Sequence, residues 1–322
     1  MREQPIGSST RAIVAAVVLV AVSGCGSVGT SVEPTDAPAP AHPGSIPSDS
    51  LEVALQGETN GVAVCAGSVW VAVGAPRDGI VQIDPASGQV IREIEKGTNL
   101  ACLDGQPWAA IGGSEIRHVS ADTGETLASV PVNSFYVGTG AGSIWAASGR
   151  DVVRIDPETA EVVATIPLDP RFDVTEVEGT DDAVWATVKE AAMVYRIDPA
   201  TDAVVAKIGA GAYAHGILIQ PDAVWISNAH EETVTRIDPA TNTVVLFVDG
   251  PGSGVGLAEG DGSVWASSRD GVLFRIDPTT NEAHGLVRIG GWPYGIAATE
   301  GVLWVSDGVT SLYGIPFSEL GD

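Results

Sequence analysis

Tryptophan recurs in this chain with a period that few folds can satisfy. It stands at Trp70, Trp108, Trp145, Trp185, Trp225, Trp265 and Trp304, at intervals of 38, 37, 40, 40, 40 and 39 residues. The copy at residues 142–166 reads GSIWAASGRDVVRIDPETAEVVATI. An apolar run holds the Trp, Arg-Ile-Asp-Pro follows, and a Thr-containing turn leads to a second β-branched run. Units of this length cannot bury an apolar face alone and must stack on their neighbours. Seven such units, each a set of short β-prone runs, predict an all-β fold, a seven-bladed β-propeller of four-stranded blades.

Each copy parses into four strands. Strand A is a Gly-Ile-Ala type run, as at 216–219 and 295–298, and strand B carries the Trp, as at 69–73, 144–147 and 224–227. Strand C ends at Ile-Asp-Pro, at 83–85, 155–157, 197–199, 237–239 and 276–278, and strand D is the next apolar run, as at 162–166 or 204–208. The strands read as nearly continuous apolar runs, as expected where neighbouring blades cover both faces. In the Asp-Pro-x-Thr unit, Pro presets φ while the Asp and Thr side chains can bond free turn amides. Because these residues recur, they are read as structural, as are Arg154, Arg196, Arg236, Arg275 and the periodic Trp residues. The seventh copy has strand A near Gly295, strand B at Trp304 and strand C at 312–315, and no run follows that could serve as strand D. Residues 51–55 have the character of the missing strand. The expectation is closure by this N-terminal strand, which removes an exposed edge.

The Gly-Ile-Ala, Val-Trp-Val and Arg-Ile-Asp-Pro-x-Thr-x-x-Val-Val pattern resembles the YVTN-type and streptogramin (virginiamycin B) lyase-like seven-bladed propellers over residues 51–322. The resemblance implies the fold and leaves three roles open: binding module, scaffold or enzyme. Where streptogramin lyases carry Trp-Phe-Thr-Glu, this chain reads Trp-Val-Ala-Val from Trp70, Trp-Ile-Ser-Asn from Trp225 and Trp-Val-Ser-Asp from Trp304.

Residues 1–24 read as an export signal: a polar start with Arg2 and Arg11, then an apolar run at 12–22, too short to span a bilayer. The run ends in Val22-Ser23-Gly24-Cys25, which resembles the lipobox of bacterial lipoproteins. That resemblance implies a lipid (palmitate-type) anchor on Cys25, which becomes the first mature residue. The tail of Ser, Pro, Thr, Ala and Gly to residue 50 has too little apolar surface to order itself, so 25–50 is expected to be a disordered stalk. The chain is therefore placed in a bacterial cell envelope, extracytoplasmic and anchored to the outer leaflet of the cell membrane, as a monomer. With 41 Asp and Glu against 16 Lys and Arg, the formal charge of −25 repels phosphate backbones and argues against a nucleic-acid partner. Three cysteines make no disulfide scaffold. Cys65 and Cys102 fall in strand A of adjacent blades, five and six residues before their Trp. An oxidising compartment permits a bond between them, and a disulfide bridging blades 1 and 2 is expected; two buried thiols are the alternative.

Departures from the repeat on the face carrying the D-to-A and B-to-C loops are where chemistry can sit. Ten residues before each Trp stand Asn60, Thr98, Phe135, Thr175, His215, Val255 and Tyr294. One position later stand Gly61, Asn99, Tyr136, Glu176, Gly216, Gly256 and Gly295. Blade 5 adds Tyr213 from one loop and Asn228, His230 and Glu231 from the other; blade 7 adds Trp292, outside the period, and Asp307. Blade 6 offers Gly250-Pro251-Gly252-Ser253-Gly254, with little side-chain volume. Tyr213, His215, Asn228, Glu231, Trp292, Tyr294 and Asp307 are the candidate ligand contacts, and ordinary loop tips are the competing reading. No metal site is assigned, because the spacing of His215, His230 and Glu231 matches no established ligand pattern. Gly-x-Ser-x-Gly, His-Glu-x-x-His and a phosphate loop are all missing from the sequence.

Two functions follow. The first is a membrane-tethered propeller that binds a protein, a glycan or a small molecule. The second is a streptogramin-lyase-like or other metal-assisted extracytoplasmic enzyme, with His215 or His230 as base and a divalent cation as cofactor.

Overall fold

In the computed structural model, which describes residues 44–250 and 254–320, every periodic Trp enters the second strand of a four-stranded antiparallel blade, to which blade 6 adds a short fifth strand. Seven such sheets make a seven-bladed β-propeller. Among the described residues there is no α-helix, only short 3₁₀ turns at Lys189–Ala191 and Phe317–Glu319. Strand A of blades 1 to 7 is Gly57–Cys65, Gly97–Leu103, Tyr136–Gly140, Glu176–Gly179, Ala214–Gln220, Gly254–Gly260 and Ile296–Thr299. Leu51–Ala54 pairs antiparallel with Ser311–Pro316, Leu51 opposite Gly314 and Val53 opposite Leu312, so the N-terminal strand completes blade 7.

The core lies in the seams between blades. Trp145 packs with Val177, Val184 and Ala186 of blade 4. In the same way Trp304 packs with Val53 of its own blade and Val69 and Val71 of blade 1. Each Trp thus reaches forward to the next blade, and five of the seven indole N–H groups bond within their own blade. Trp70, Trp145 and Trp265 donate to the carbonyl five residues earlier, at 2.9–3.1 Å. The repeated Arg extends the same seam. Arg154 lies 5.3 Å over the Trp145 ring and donates from Nη1 to Pro199 O at 2.7 Å and Asp202 Oδ1 at 3.1 Å, in the next blade's turn. Arg196 repeats this on Pro239 and Asn242, and Arg236 on Pro278 and Asn281. Cation–π stacking and a charge-assisted hydrogen bond to a turn carbonyl are each favourable, so one side chain stitches two blades.

Two expectations need adjustment and a third is met. The outer strands are not covered on both faces: Ala203–Gly209 alternates exposed and shielded, and Val205, Val245 and Phe247 are half exposed. Blades radiate from an axis, so neighbours that touch at the inner strands diverge at the outer ones. The disorder expected for residues 25–50 also does not extend over 44–50. Gly44–Ser45 pairs parallel with Val287 and Arg288 of blade 6, and Ile46 packs against the blade 6–blade 7 core. Residues 1–24, Cys25 and the rest of the stalk to residue 43 lie outside the described residues, as do 251–253 of the blade 6 glycine loop. Finally, of the two readings for Cys65 and Cys102, the structure has the disulfide, with Cα atoms 5.4 Å apart, joining the inner strands of blades 1 and 2.

Candidate functional site

The seven A strands surround an axial channel that holds a cavity of about 310 Å³. Its wall must be built from strands that approach closely, and glycine permits this. A Cβ on Gly216, Gly256 or Gly295 would collide with the carbonyl of Val255, Tyr294 or Asn60 in the following blade. The hydroxyl two residues after the Trp then ties the strands together. Ser227 Oγ takes a hydrogen bond from Gly216 N at 2.8 Å and donates to Val255 O at 2.7 Å. Ser267 does the same between Gly256 N and Tyr294 O, both at 3.1 Å. Thr187 Oγ1 donates to His215 O at 3.1 Å. The backbones of His215 and Tyr294 are therefore pinned by groups of the preceding blade.

Their side chains meet across the channel. Tyr294 Oη lies 2.7 Å from His215 Nε2 and 2.9 Å from Tyr136 Oη. His215 Nδ1 faces Glu176 Oε2 at 3.4 Å, an ion-pair distance whose direction does not make a hydrogen bond. His215 is 4% exposed. One strand, Glu176–Gly179, supplies a second carboxylate on the same face, Glu178. Glu178 Oε1 accepts from Thr139 Oγ1 at 3.3 Å and from Gly179 N at 3.3 Å. Protein surrounds this carboxyl, although it still touches the channel solvent. That burial pushes its pKa up to about 7, the Glu176 charge adding to the shift and the amide hydrogen bonds opposing it. Burial also raises both tyrosines above the ordinary phenol value, so they serve as neutral donors and acceptors.

Two shelves of about 390 Å³ each flank the mouth. One lies by Phe135, Tyr136, Thr98 and Asn99; the other by Trp292, Arg269, Glu58 and Asn60. Tyr294 borders the channel and both shelves. Trp292 is 65% exposed, a large apolar surface left open.

The candidate residues thus separate. His215 and Tyr294 form the centre, and Trp292 the adjoining shelf. Tyr213 and His230 stack on each other at 3.9 Å between centroids, with Lys189 Nζ 5.0 Å from the Tyr213 ring. Tyr213 holds this place at φ +64°, a backbone state that costs a bulky residue about 1–3 kcal/mol. Glu231 is exposed on the same loop. Asn228 is fully buried inside blade 5, where its amide donates to Thr233 and Thr235 at 2.9 Å, a structural role. Asp307 caps its own loop, accepting from the amides of Val309, Thr310 and Ser311 and from Thr59 Oγ1 of blade 1. Among the described residues, no group of three or more His, Cys, Asp or Glu side chains is placed to hold a metal ion. Glu178 is the site residue missed in the sequence. Its signal was there: it stands opposite Trp185, where the other blades have Ala63, Ala101, Gly138, Leu218, Ala258 and Ala297.

No family model and no curated protein matches this chain. Solved structures match in fold. The virginiamycin B lyase of Staphylococcus aureus aligns with a TM-score of 0.71 at 16% identity, over 84% of this chain and 99% of the other. A streptogramin B lyase aligns at 0.71 and 18%, over 83% and 97%. The protein U3-55K aligns at 0.74 and 11%, over 85% and 100%. At these identities the likeness establishes the seven-bladed, lyase-like propeller fold and nothing about activity.

Proposed function

We propose that this chain is an extracytoplasmic binding module, lipid-tethered through Cys25, that takes a small ligand at the mouth of its axial channel. The observation that carries the reading is the convergence of Tyr136, Glu176, His215 and Tyr294 from four blades on one cavity beside the exposed Trp292. Few polar groups set among aromatic surfaces are typical of small-molecule sites. The second reading is an enzyme related in fold to the lyases. His215 favours it, because an imidazole held between a phenol and a carboxylate is also an acid–base arrangement.

Melting the mature chain with a small-molecule extract of bacterial envelope tests the first reading. A ligand that binds the folded state raises the melting temperature. The gain is expected for wild type and not for His215→Ala or Trp292→Ala; an equal gain in all three places the ligand elsewhere. Incubation with virginiamycin B, followed by mass spectrometry, separates the readings. Binding leaves the compound intact, whereas consumption that depends on His215 establishes the enzyme. The tether is tested by Cys25→Ala, which is expected to move the chain out of the membrane fraction or leave the signal uncleaved. Unchanged membrane association excludes the anchor.

A further inference from the structure

The channel lining is rich in acceptors and, among the described residues, holds no Lys or Arg. Glu178 accepts its hydrogen bonds on Oε1, and among the described residues Oε2 takes none. With the imidazole proton on Nε2, directed at Tyr294, His215 Nδ1 and Glu176 Oε2 are two acceptors 3.4 Å apart with no proton between them. Nδ1 is one of few buried polar atoms without a partner, and such atoms ask for an explanation. A group that brings several donors and a positive charge satisfies both acceptors at once. The net charge of −25 and the narrow, protein-walled channel both favour cations there.

We propose, building on the channel-mouth reading above, that the ligand is a small primary amine whose ammonium enters between Glu176, Glu178 and His215, with its apolar body against the Trp292 shelf. Tyr294 supports the geometry, since it walls both the channel and that shelf. A primary ammonium has three donors to share among carboxylates, Nδ1 and the Tyr136 hydroxyl. A coordinated metal fits less well, because no group of three ligating side chains is assembled among the described residues. Arg269 on the shelf opposes a second positive charge there and selects an apolar or anionic tail.

Protonation gives the proposal a signature. Glu178, with its pKa raised to about 7 chiefly by burial, is neutral below that pH and a carboxylate above it. Facing it are Glu176 on its own strand, Thr139 of blade 3, and His215, Tyr136 and Tyr294 across the channel, with Lys189 and Arg269 acting on the tyrosines from the rim. An amine with an ordinary pKa stays charged throughout, so affinity rises with pH through this window.

The test is isothermal titration calorimetry of the full mature chain with n-hexylammonium chloride, hexan-1-ol and magnesium chloride. Hexylammonium is expected to bind one-to-one at pH 8.5, more weakly at pH 6, and hexanol to bind at least about tenfold more weakly, the worth of a charged hydrogen bond. Glu176→Gln and Glu178→Gln should each weaken hexylammonium about tenfold, and Glu178→Gln should also flatten the pH dependence. Melting curves verify that the variants fold, and the surface variant Trp292→Ala, which removes only an exposed ring, should weaken binding independently. Equal binding of amine and alcohol, site occupancy by magnesium instead of amine, or no amine binding overturns the proposal. If amine fails while envelope extract still stabilises wild type and not His215→Ala, this inference falls and the channel-mouth site stands. If both fail, both fall.

Discussion

The disulfide joining the inner strands of blades 1 and 2 makes a quantitative prediction. Cys65 and Cys102 are 37 residues apart in sequence, and the bond closes that loop in the unfolded chain. Loop-closure entropy for such a length is worth about 4 kcal/mol at 25 °C. A domain of this size shifts its melting temperature by roughly 2 °C per kcal/mol, so losing the bond should lower it by about 8 °C. The double variant Cys65→Ala/Cys102→Ala is the direct perturbation. It adds a small packing loss, because Cys65 is buried beside Trp70. Melting wild type in dithiothreitol avoids that loss, since the thiols remain and only the unfolded chain is freed, and should give nearly the same drop. Alkylation followed by mass spectrometry counts the free thiols of Cys65 and Cys102 in the purified protein. Two free thiols, or a shift below about 2 °C by both routes, refute the reasoning.

Other perturbations probe the fold and the charges. Deleting residues 51–56 removes the strand paired with Ser311–Pro316 and should leave an open edge, seen as aggregation in size-exclusion chromatography; a monomer with an unchanged melting temperature contradicts closure. Because burial raises the Glu178 pKa to about 7, the folded state binds more protons than the unfolded between the ordinary carboxyl value of 4.5 and 7. Its contribution to stability is therefore lost as pH rises through that window, and Glu178→Gln should raise the melting temperature more at pH 8 than at pH 5. The turn carboxylates have the opposite sign. Backbone amides and Thr hydroxyls hold Asp198, Asp238 and Asp277 below their usual pKa. Their contribution is present above the unfolded value and disappears as pH falls through the lowered ones, so melting from pH 5 down to pH 2 should show a progressive loss that Asp238→Asn reduces.

The architecture was legible in the sequence because its determinants are local and repeated. A Trp every 37 to 40 residues and an Asp-Pro turn after the third strand of five copies state the blade, and counting the Trp residues states the number. Closure was legible because residues 51–55 supply the one strand that the seventh copy lacks. The reach of Arg154, Arg196 and Arg236 into the following blade was not, since recurrence marks them as structural without showing which turn they bond. The site was legible in part. Tyr136, Glu176, His215 and Tyr294 could be placed on the channel ring by their offset from Trp. That Tyr136 and Tyr294, 158 residues apart, share a hydrogen bond depends on the diameter of the channel, which no local pattern encodes. The intra-blade bonds of Asn228 and Asp307 were not legible for a related reason. A polar residue just after strand B can serve a ligand or satisfy the backbone of its own loop, and the two uses look alike until partners are seen.

The central claim is that His215 lies at the ligand site. Nitrogen NMR of the protein, labelled in its histidine rings, reads this directly among five histidines. On titration with envelope small-molecule extract, the His215 ring resonances should shift, while His118, stacked on Trp108 away from the mouth, and His284, on the outer strand of blade 6, stay in place. Stabilisation of the protein with an unmoved His215 would contradict the account.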